Sequence, residues 1–209
     1  MELKTITETL LTGDDVLLNA QVKAALDEGL APKDILNEAL IPGMDIVGER
    51  MESGEMFIPE VLMSAQAMAS VVEVLKPLLA DGDLVSAGKV VIGTVQGDLH
   101  DIGKNLVAMM LESAGFEVID LGVDVSPEQF VEAVSANDAN FIALSALLTT
   151  TMDTMRRTIS LVEEKGLKDK VKVLVGGAPV NQAFADEIGA DGYAADAGSA
   201  SKLAKTMLV

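Results

Sequence analysis

His100 is the one histidine in a chain of 209 residues that contains no cysteine. Nitrogen or sulfur ligation of a transition metal must therefore use His100 or the weak methionine thioethers. The residue lies in Gly97-Asp98-Leu99-His100-Asp101-Ile102-Gly103-Lys104-Asn105, between an apolar run of strand type and a helical run. Asp98 stands two positions before it. A carboxylate that holds one ring nitrogen fixes the tautomer and makes the other nitrogen a better ligand. A single protein ligand holds most divalent ions weakly, so such a site suits a metal already caged in a macrocycle, as in a cobalt corrinoid or a haem. The alternative is a hydrogen-bonded histidine in an ordinary strand-to-helix turn.

Other loop chemistries fit poorly. A phosphate-binding loop needs four residues between Gly97 and Gly103-Lys104 where five are present, and Asn105 replaces the Ser or Thr that binds magnesium. Asp98 and Asp101 would also repel phosphates. A dinucleotide site needs G-x-G-x-x-G at this turn, and it is absent. A phosphoacceptor receiver needs an aspartate at the end of the third strand, where this chain has Ser145.

The elements that must position the loop follow from periodicity. Helical patterns are predicted at 16–30, 33–40, 43–51 and 60–79, with Pro42 as a kink or break and Ser53-Gly54-Glu55 as a turn. Four helices with short connections imply a small bundle. The composition shifts at 81–88, read as a linker, and divides the chain into an all-α part, 1–86, and an α/β part, 87–209. In the second part, strands are predicted at 89–94, 117–121, 141–145, 172–175 and 192–194, alternating with helices at 105–114, 127–136, 151–165, 181–188 and 199–208. Continuous apolar strands in this alternation imply a five-stranded, flavodoxin-like or Rossmann-like parallel sheet covered by helices on both faces. Its ligand belongs beyond the carboxyl ends of the strands, between the first and third, where the loops 96–104 and 145–151 meet. The fourth strand adds Gly176-Gly177 there.

Composition narrows the function classes. The formal net charge of −18, from 15 basic and 33 acidic residues, argues against a nucleic-acid partner, which needs clustered Lys and Arg. Absence of cysteine excludes disulfides, iron–sulfur clusters and thiolate zinc sites. Residues 1–13 carry no signal-peptide core. No stretch is expected to approach the roughly 20 apolar residues of a membrane span, so the expected protein is cytoplasmic, with no membrane partner. Aromatic residues make up 3% with no Trp, which implies an aliphatic, methionine-filled core.

Three motifs in order carry a resemblance. Asp98-Leu99-His100-Asp101-Ile102-Gly103 matches the D-x-H-x-x-G signature of cobalamin-binding domains; after 41 residues Ser145-Ala146-Leu147 matches S-x-L; after 28 more, Gly176-Gly177 matches the paired glycines. Val47-Gly48-Glu49 and Glu55-Met56-Phe57-Ile58-Pro59-Glu60 resemble the helical cap of cobalamin-dependent methionine synthase and of the free-standing corrinoid proteins of methylamine and methanol systems. The resemblance covers about residues 10–205.

That resemblance implies a cobalamin bound base-off and His-on, with His100 as the lower axial cobalt ligand and Asp98 behind it. Thr151 stands where the family has a serine and keeps the hydroxyl of the relay. Gly97, Leu99, Asp101, Gly103 and Leu147 would lie around the lower face. Ser145, Thr149, Gly176, Gly177 and Ala197 would receive the nucleotide tail, and Met51, Ile58 and Val61 would cap the upper, reactive face. The implied function is a corrinoid methyl carrier that does not act alone. It would cycle through methylcobalamin between a substrate-specific methyltransferase and an acceptor methyltransferase using tetrahydrofolate or a thiol coenzyme, with a reductive activase. The small subunit of an adenosylcobalamin mutase shares the three motifs but generally lacks the helical cap. A cobalamin sensor would place a Trp in the cap and add a DNA-binding module.

Overall fold

The computed structural model describes residues 2–79 and 87–208. The expected linker lies, over 81–86, outside the described residues. The chain divides into two compact units, one helical and one α/β.

The helical unit starts with Leu3–Thr12 (α1), which the sequence pattern did not predict. Thr5, Thr7 and Thr9 interrupt its apolar pattern, yet Leu3, Ile6 and Leu10 share one face and Ile6 and Leu10 are fully buried. Asp15–Asp27 (α2) follows, with Asp14 Oδ1 accepting the Leu17 N–H at 2.9 Å.

Pro42 neither breaks nor ends its helix. Pro32–Ile35 (α3) passes through a π-helical turn, Leu36–Leu40, into Ile41–Glu52 (α4) as one rod. Ile41 N–H donates to the Leu36 carbonyl, five residues back. The wider turn gives the proline ring room where a regular helix would press it on a carbonyl. Thr7 Oγ1 donates to the Ala39 carbonyl within that turn at 3.1 Å.

The last rod is Ile58–Leu75 (α5), begun by Pro59 in its first turn and by Glu60 Oε2 accepting the Phe57 N–H at 2.9 Å, and continued by a short 3₁₀ turn. The bundle thus has four rods among the described residues, but not the four expected: α1 is added, and the two segments either side of Pro42 are one. The expectation about membrane-length stretches also needs amending. Ile58–Leu78, at 21 residues with mean hydropathy 1.4, is long and apolar enough to span a bilayer by composition. It packs instead as a bundle helix, burying Val61, Ala65, Met68, Val71 and Leu75.

The α/β unit follows the predicted alternation closely. Lys89–Thr94 (β1), Glu117–Asp120 (β2), Phe141–Ser145 (β3), Lys172–Gly176 (β4) and Gly192–Ala194 (β5) form one parallel sheet in the order β2-β1-β3-β4-β5. The helices are Ile102–Ser113 (α6), Pro127–Asn137 (α7), Met152–Glu164 (α8), Gln182–Ile188 (α9) and Ala197–Met207 (α10). Register places Thr94, Ser145, Gly176 and Ala194 side by side at the carboxyl edge. Val91, Ile142, Leu144, Val173 and Val175 point to one face, where Phe130 of α7 and Met155 of α8 cover them. Tyr193, the one tyrosine, pairs with Val175 and lies partly buried against that core. The strand order reverses between β1 and β3, as expected from the loops.

In the bundle, α1 and α4 meet closely at Gly43: a Cβ there would stand 2.7 Å from Leu10 Cδ2 and 3.4 Å from Thr7 Cγ2. Gly43→Val should overpack this contact and destabilise the chain by about 1–3 kcal/mol. Thermal melting followed by circular dichroism should show a lower midpoint with unchanged helical content at 20 °C.

Candidate functional site

The loop between β1 and α6 has no regular structure of its own and is fixed by side chains. Val95 accepts the Asp98 N–H at 3.1 Å, closing a turn. Gly97 takes φ +88° there, and a Cβ at this position would press on Thr151 Cγ2 at 3.3 Å. At the end of β1, the buried Thr94 donates its Oγ1 to the His100 carbonyl at 2.8 Å. Asp98 Oδ1 accepts from His100 twice, from Nδ1 at 2.7 Å and from the backbone N–H at 3.2 Å. The main chain and one ring nitrogen of His100 are therefore all held.

Asp98 is completely buried, while the His100 side chain is 52% exposed. The second Asp98 oxygen, Oδ2, lies against the loop after β3, accepting the N–H groups of Leu147 at 2.7 Å and Leu148 at 3.0 Å. Thr151 Oγ1 stands 3.1 Å from Oδ2 and 2.8 Å from the Leu148 carbonyl, and its single proton serves one of the two. Burial by itself pushes the Asp98 carboxyl up. The hydrogen bonds from the His100 ring, Leu147, the His100 backbone and Leu148 outweigh it and hold the carboxyl well below the usual carboxylate range. An ionised carboxylate only accepts, so the proton of a neutral His100 sits on Nδ1 and the lone pair on Nε2.

The predicted residues of the α/β unit assemble at one edge. Ser145 lies in register between Thr94 and Gly176. Gly177, at φ +119°, brings its backbone so close to the β3 loop that a Cβ would lie 1.9 Å from the Ala146 carbonyl oxygen. A Cβ on Gly103 would meet nothing within 4 Å, so the first turn of α6 presents bare backbone to open space. Leu99 and Ile102 are 71% and 78% exposed, and Leu147 and Leu148 are exposed as well. Thr149 is exposed, Thr151 is buried, and Ala197 is buried at the start of α10. The remaining three predicted residues belong to the helical unit. There Ile58 is exposed, Met51 is half-buried and Val61 fully buried.

These residues fit a caged metal better than a bare ion. Among the described residues, no three His, Asp or Glu side chains converge to hold a metal. One imidazole with a fixed tautomer, on loops that carry exposed apolar side chains and bare glycine backbone, suits a large flat ligand that brings its own equatorial donors.

Thr94 and Phe57 were missed at the sequence level. The signal for Thr94 was a hydroxyl closing an otherwise apolar strand directly before the loop. Phe57, 68% exposed beside Ile58, was visible only as one letter of the cap motif. In a chain with five phenylalanines, an exposed one is a marked feature.

Comparisons with known proteins identify the family. Residues 88–201 match a B12 binding domain family, and residues 2–76 match a second family of the same description. A corrinoid protein from Desulfitobacterium hafniense is 43% identical over 206 residues, 97% of this chain and 95% of that protein. Dimethylamine corrinoid protein 1 from Methanosarcina acetivorans is 48% identical over 195 residues, 93% and 91% of the two chains. Among solved structures, a cobalamin-binding protein from Desulfitobacterium hafniense superposes with a TM-score of 0.85 at 33% identity, covering 100% of this chain and 98% of that one. The methanol:cobalamin methyltransferase complex from Methanosarcina barkeri gives the same TM-score and identity, over 97% of this chain and 78% of its matched chain.

The Asp98 hydrogen bonds set a pH dependence. A carboxyl whose pKa is lowered by folding stabilises the fold above its unfolded value of about 3.9, and that contribution is lost as pH falls below it. Asp98→Asn turns an amide N–H₂ towards donors, which should destabilise the ligand-free chain by roughly 2 kcal/mol or more near pH 7. Urea unfolding at a series of pH values should show this difference shrinking below about pH 4.

Proposed function

The chain belongs to the family of B12-binding corrinoid proteins, and from that premise we propose that it carries methyl groups within a multi-component methyltransferase system. The observation that supports this reading is the pairing of buried Asp98 with half-exposed His100, which leaves the Nε2 lone pair for a metal. The corrinoid, when bound, supplies a cobalt centre that takes a methyl group from one enzyme and yields it to another.

The chain's own residues have distinct tasks in this reading. His100 would hold the cobalt through Nε2, the ring nitrogen that Asp98 leaves unengaged. Asp98 keeps the proton on Nδ1 and draws on it through Oδ1, which strengthens Nε2 as a donor. Thr151 supports the carboxylate from Oδ2, the far end of the relay. Gly97, Leu99, Asp101, Gly103 and Leu147 surround His100. Gly176, Gly177, Ser145, Thr149 and Ala197 receive the nucleotide tail along the carboxyl edge of the sheet. In the helical domain, taken as 1–86, Met51 and Ile58, with the exposed Phe57, would exclude water from the bound cofactor, whereas Val61, expected beside them, is fully buried within the bundle and anchors α5.

The partner is a methyltransferase. In this reading donor choice belongs to that enzyme. A second methyltransferase, with tetrahydrofolate or a thiol coenzyme as acceptor, and a reductive activase complete the cycle. The helical unit and the near full-length match to corrinoid proteins disfavour a mutase subunit.

Loading the chain with hydroxocobalamin should give a base-off spectrum. After one-electron reduction to cobalt(II), electron paramagnetic resonance should show splitting from a single axial nitrogen. His100→Ala should lose that splitting; a variant that keeps it removes His100 from the ligand role. The fully reduced loaded protein should accept a methyl group from a cognate methyltransferase, and failure to do so overturns the carrier reading.

A further inference from the structure

The loop that carries His100 is tied on its outer side, at both of its ends, to the end of β2 and the loop after it. We infer that Asp124, on that second loop, and Asp120, the last residue of β2, are positioning residues that set the place of His100. The inference rests on the reading of His100 as an axial ligand.

The upstream tie is reciprocal. Asp124 Oδ1 accepts the Gly97 N–H at 2.7 Å, and the Asp124 N–H donates to the Asp98 carbonyl at 3.1 Å. The two bonds enclose the peptide immediately before the Asp98 side chain. Asp124 adopts φ +57°, in the left-handed region, one of two such non-glycine residues among those described. L-residues enter that region against steric resistance, and Asp tolerates it better than most. The conformation turns both its N–H and its carboxylate towards the neighbouring loop. Backbone bonds on either side make the second loop a firm support: Thr94 N–H donates to Gly122, Val125 N–H donates to Thr94, and Val95 bridges Val125 in parallel.

The downstream tie is an ion pair. Lys104, in the first turn of α6, is only 2% exposed, and its Nζ donates to Asp120 Oδ2 and, at 2.6 Å, to Asn105 Oδ1. Asp120 is itself fixed, because its Oδ1 accepts the Gly122 N–H at 2.8 Å. A cation in the first turn of a helix opposes the helix dipole, and a buried ammonium needs a carboxylate. Local helix energetics therefore do not account for Lys104, whereas a tie from α6 to the end of β2 does. His100 lies between the two anchors, three residues after Gly97 and four before Lys104. Ligation tolerates only about half an ångström of displacement.

The test uses the full chain with three substitutions. Asp124→Gly keeps the left-handed backbone and removes the carboxylate; Asp124→Asn keeps both the backbone preference and an acceptor oxygen; Lys104→Met keeps the stem and removes the charge. In the ligand-free protein, Asp124→Gly should speed hydrogen exchange at the Gly97 amide, and Asp124→Asn should restore protection. In the loaded cobalt(II) form, Asp124→Gly and Lys104→Met should each reduce the fraction showing axial nitrogen splitting and weaken hydroxocobalamin binding roughly tenfold. Asp124→Asn should stay close to wild type. Faster Gly97 exchange with an undiminished nitrogen-coupled fraction overturns the Asp124 assignment, and a wild-type fraction in Lys104→Met overturns that of Asp120. If wild type and His100→Ala give the same spectrum, the axial-ligand reading fails and this inference falls with it. A difference between those two, with Asp124→Gly and Lys104→Met both like wild type, overturns the positioning role alone.

Discussion

The structure around His100 depends on one buried carboxylate. Asp98 accepts four N–H groups, two from His100 and two from the backbone of the β3 loop, and Thr151 Oγ1 lies 3.1 Å from its Oδ2. Donors from two strand-end loops converge on an anion with no exposed surface, and such an anion persists only if they do. The same bonds keep it ionised and so decide which nitrogen of His100 holds the proton. Loop closure, tautomer and metal-binding atom are thus consequences of one desolvated charge.

Parallel topology brings those loops together. Reversal of strand order between β1 and β3 leaves a crevice at the carboxyl edge, and register sets Thr94, Ser145, Gly176 and Ala194 in a row beneath it. Positions up to 100 residues apart in sequence become neighbours because sheet hydrogen bonds fix their spacing. The apolar strands are rigid, and the chemistry sits on loops that the edge holds in place.

Much of this was legible in the sequence where period and composition agree. Every strand of the α/β unit lay within a residue of its expected limits, because strands covered on both faces read as unbroken apolar runs. The site was legible through spacing: Asp98, His100, Ser145 and the paired glycines stand at separations the topology brings together. The helical unit was harder. Threonines masked the inward face of α1, and Pro42 suggested a break that a π-helical turn absorbs, with Thr7 from another helix bonded to a carbonyl inside that turn. Neither fact has a local signature, since both depend on a tertiary partner. Asp124 was illegible for a similar reason, as its left-handed backbone has meaning only against the loop it faces.

A last consequence concerns Tyr193. It pairs with Val175 in the register step next to Gly176 and Ala194, one residue from the carboxyl edge, in a chain without tryptophan. Near-ultraviolet emission of the polypeptide therefore comes almost wholly from a single phenol ring on the edge strand β5 of the same sheet. A coloured ligand seated along that edge would quench it by energy transfer. The molecule thus carries its own optical gauge of occupancy, and needs no attached dye.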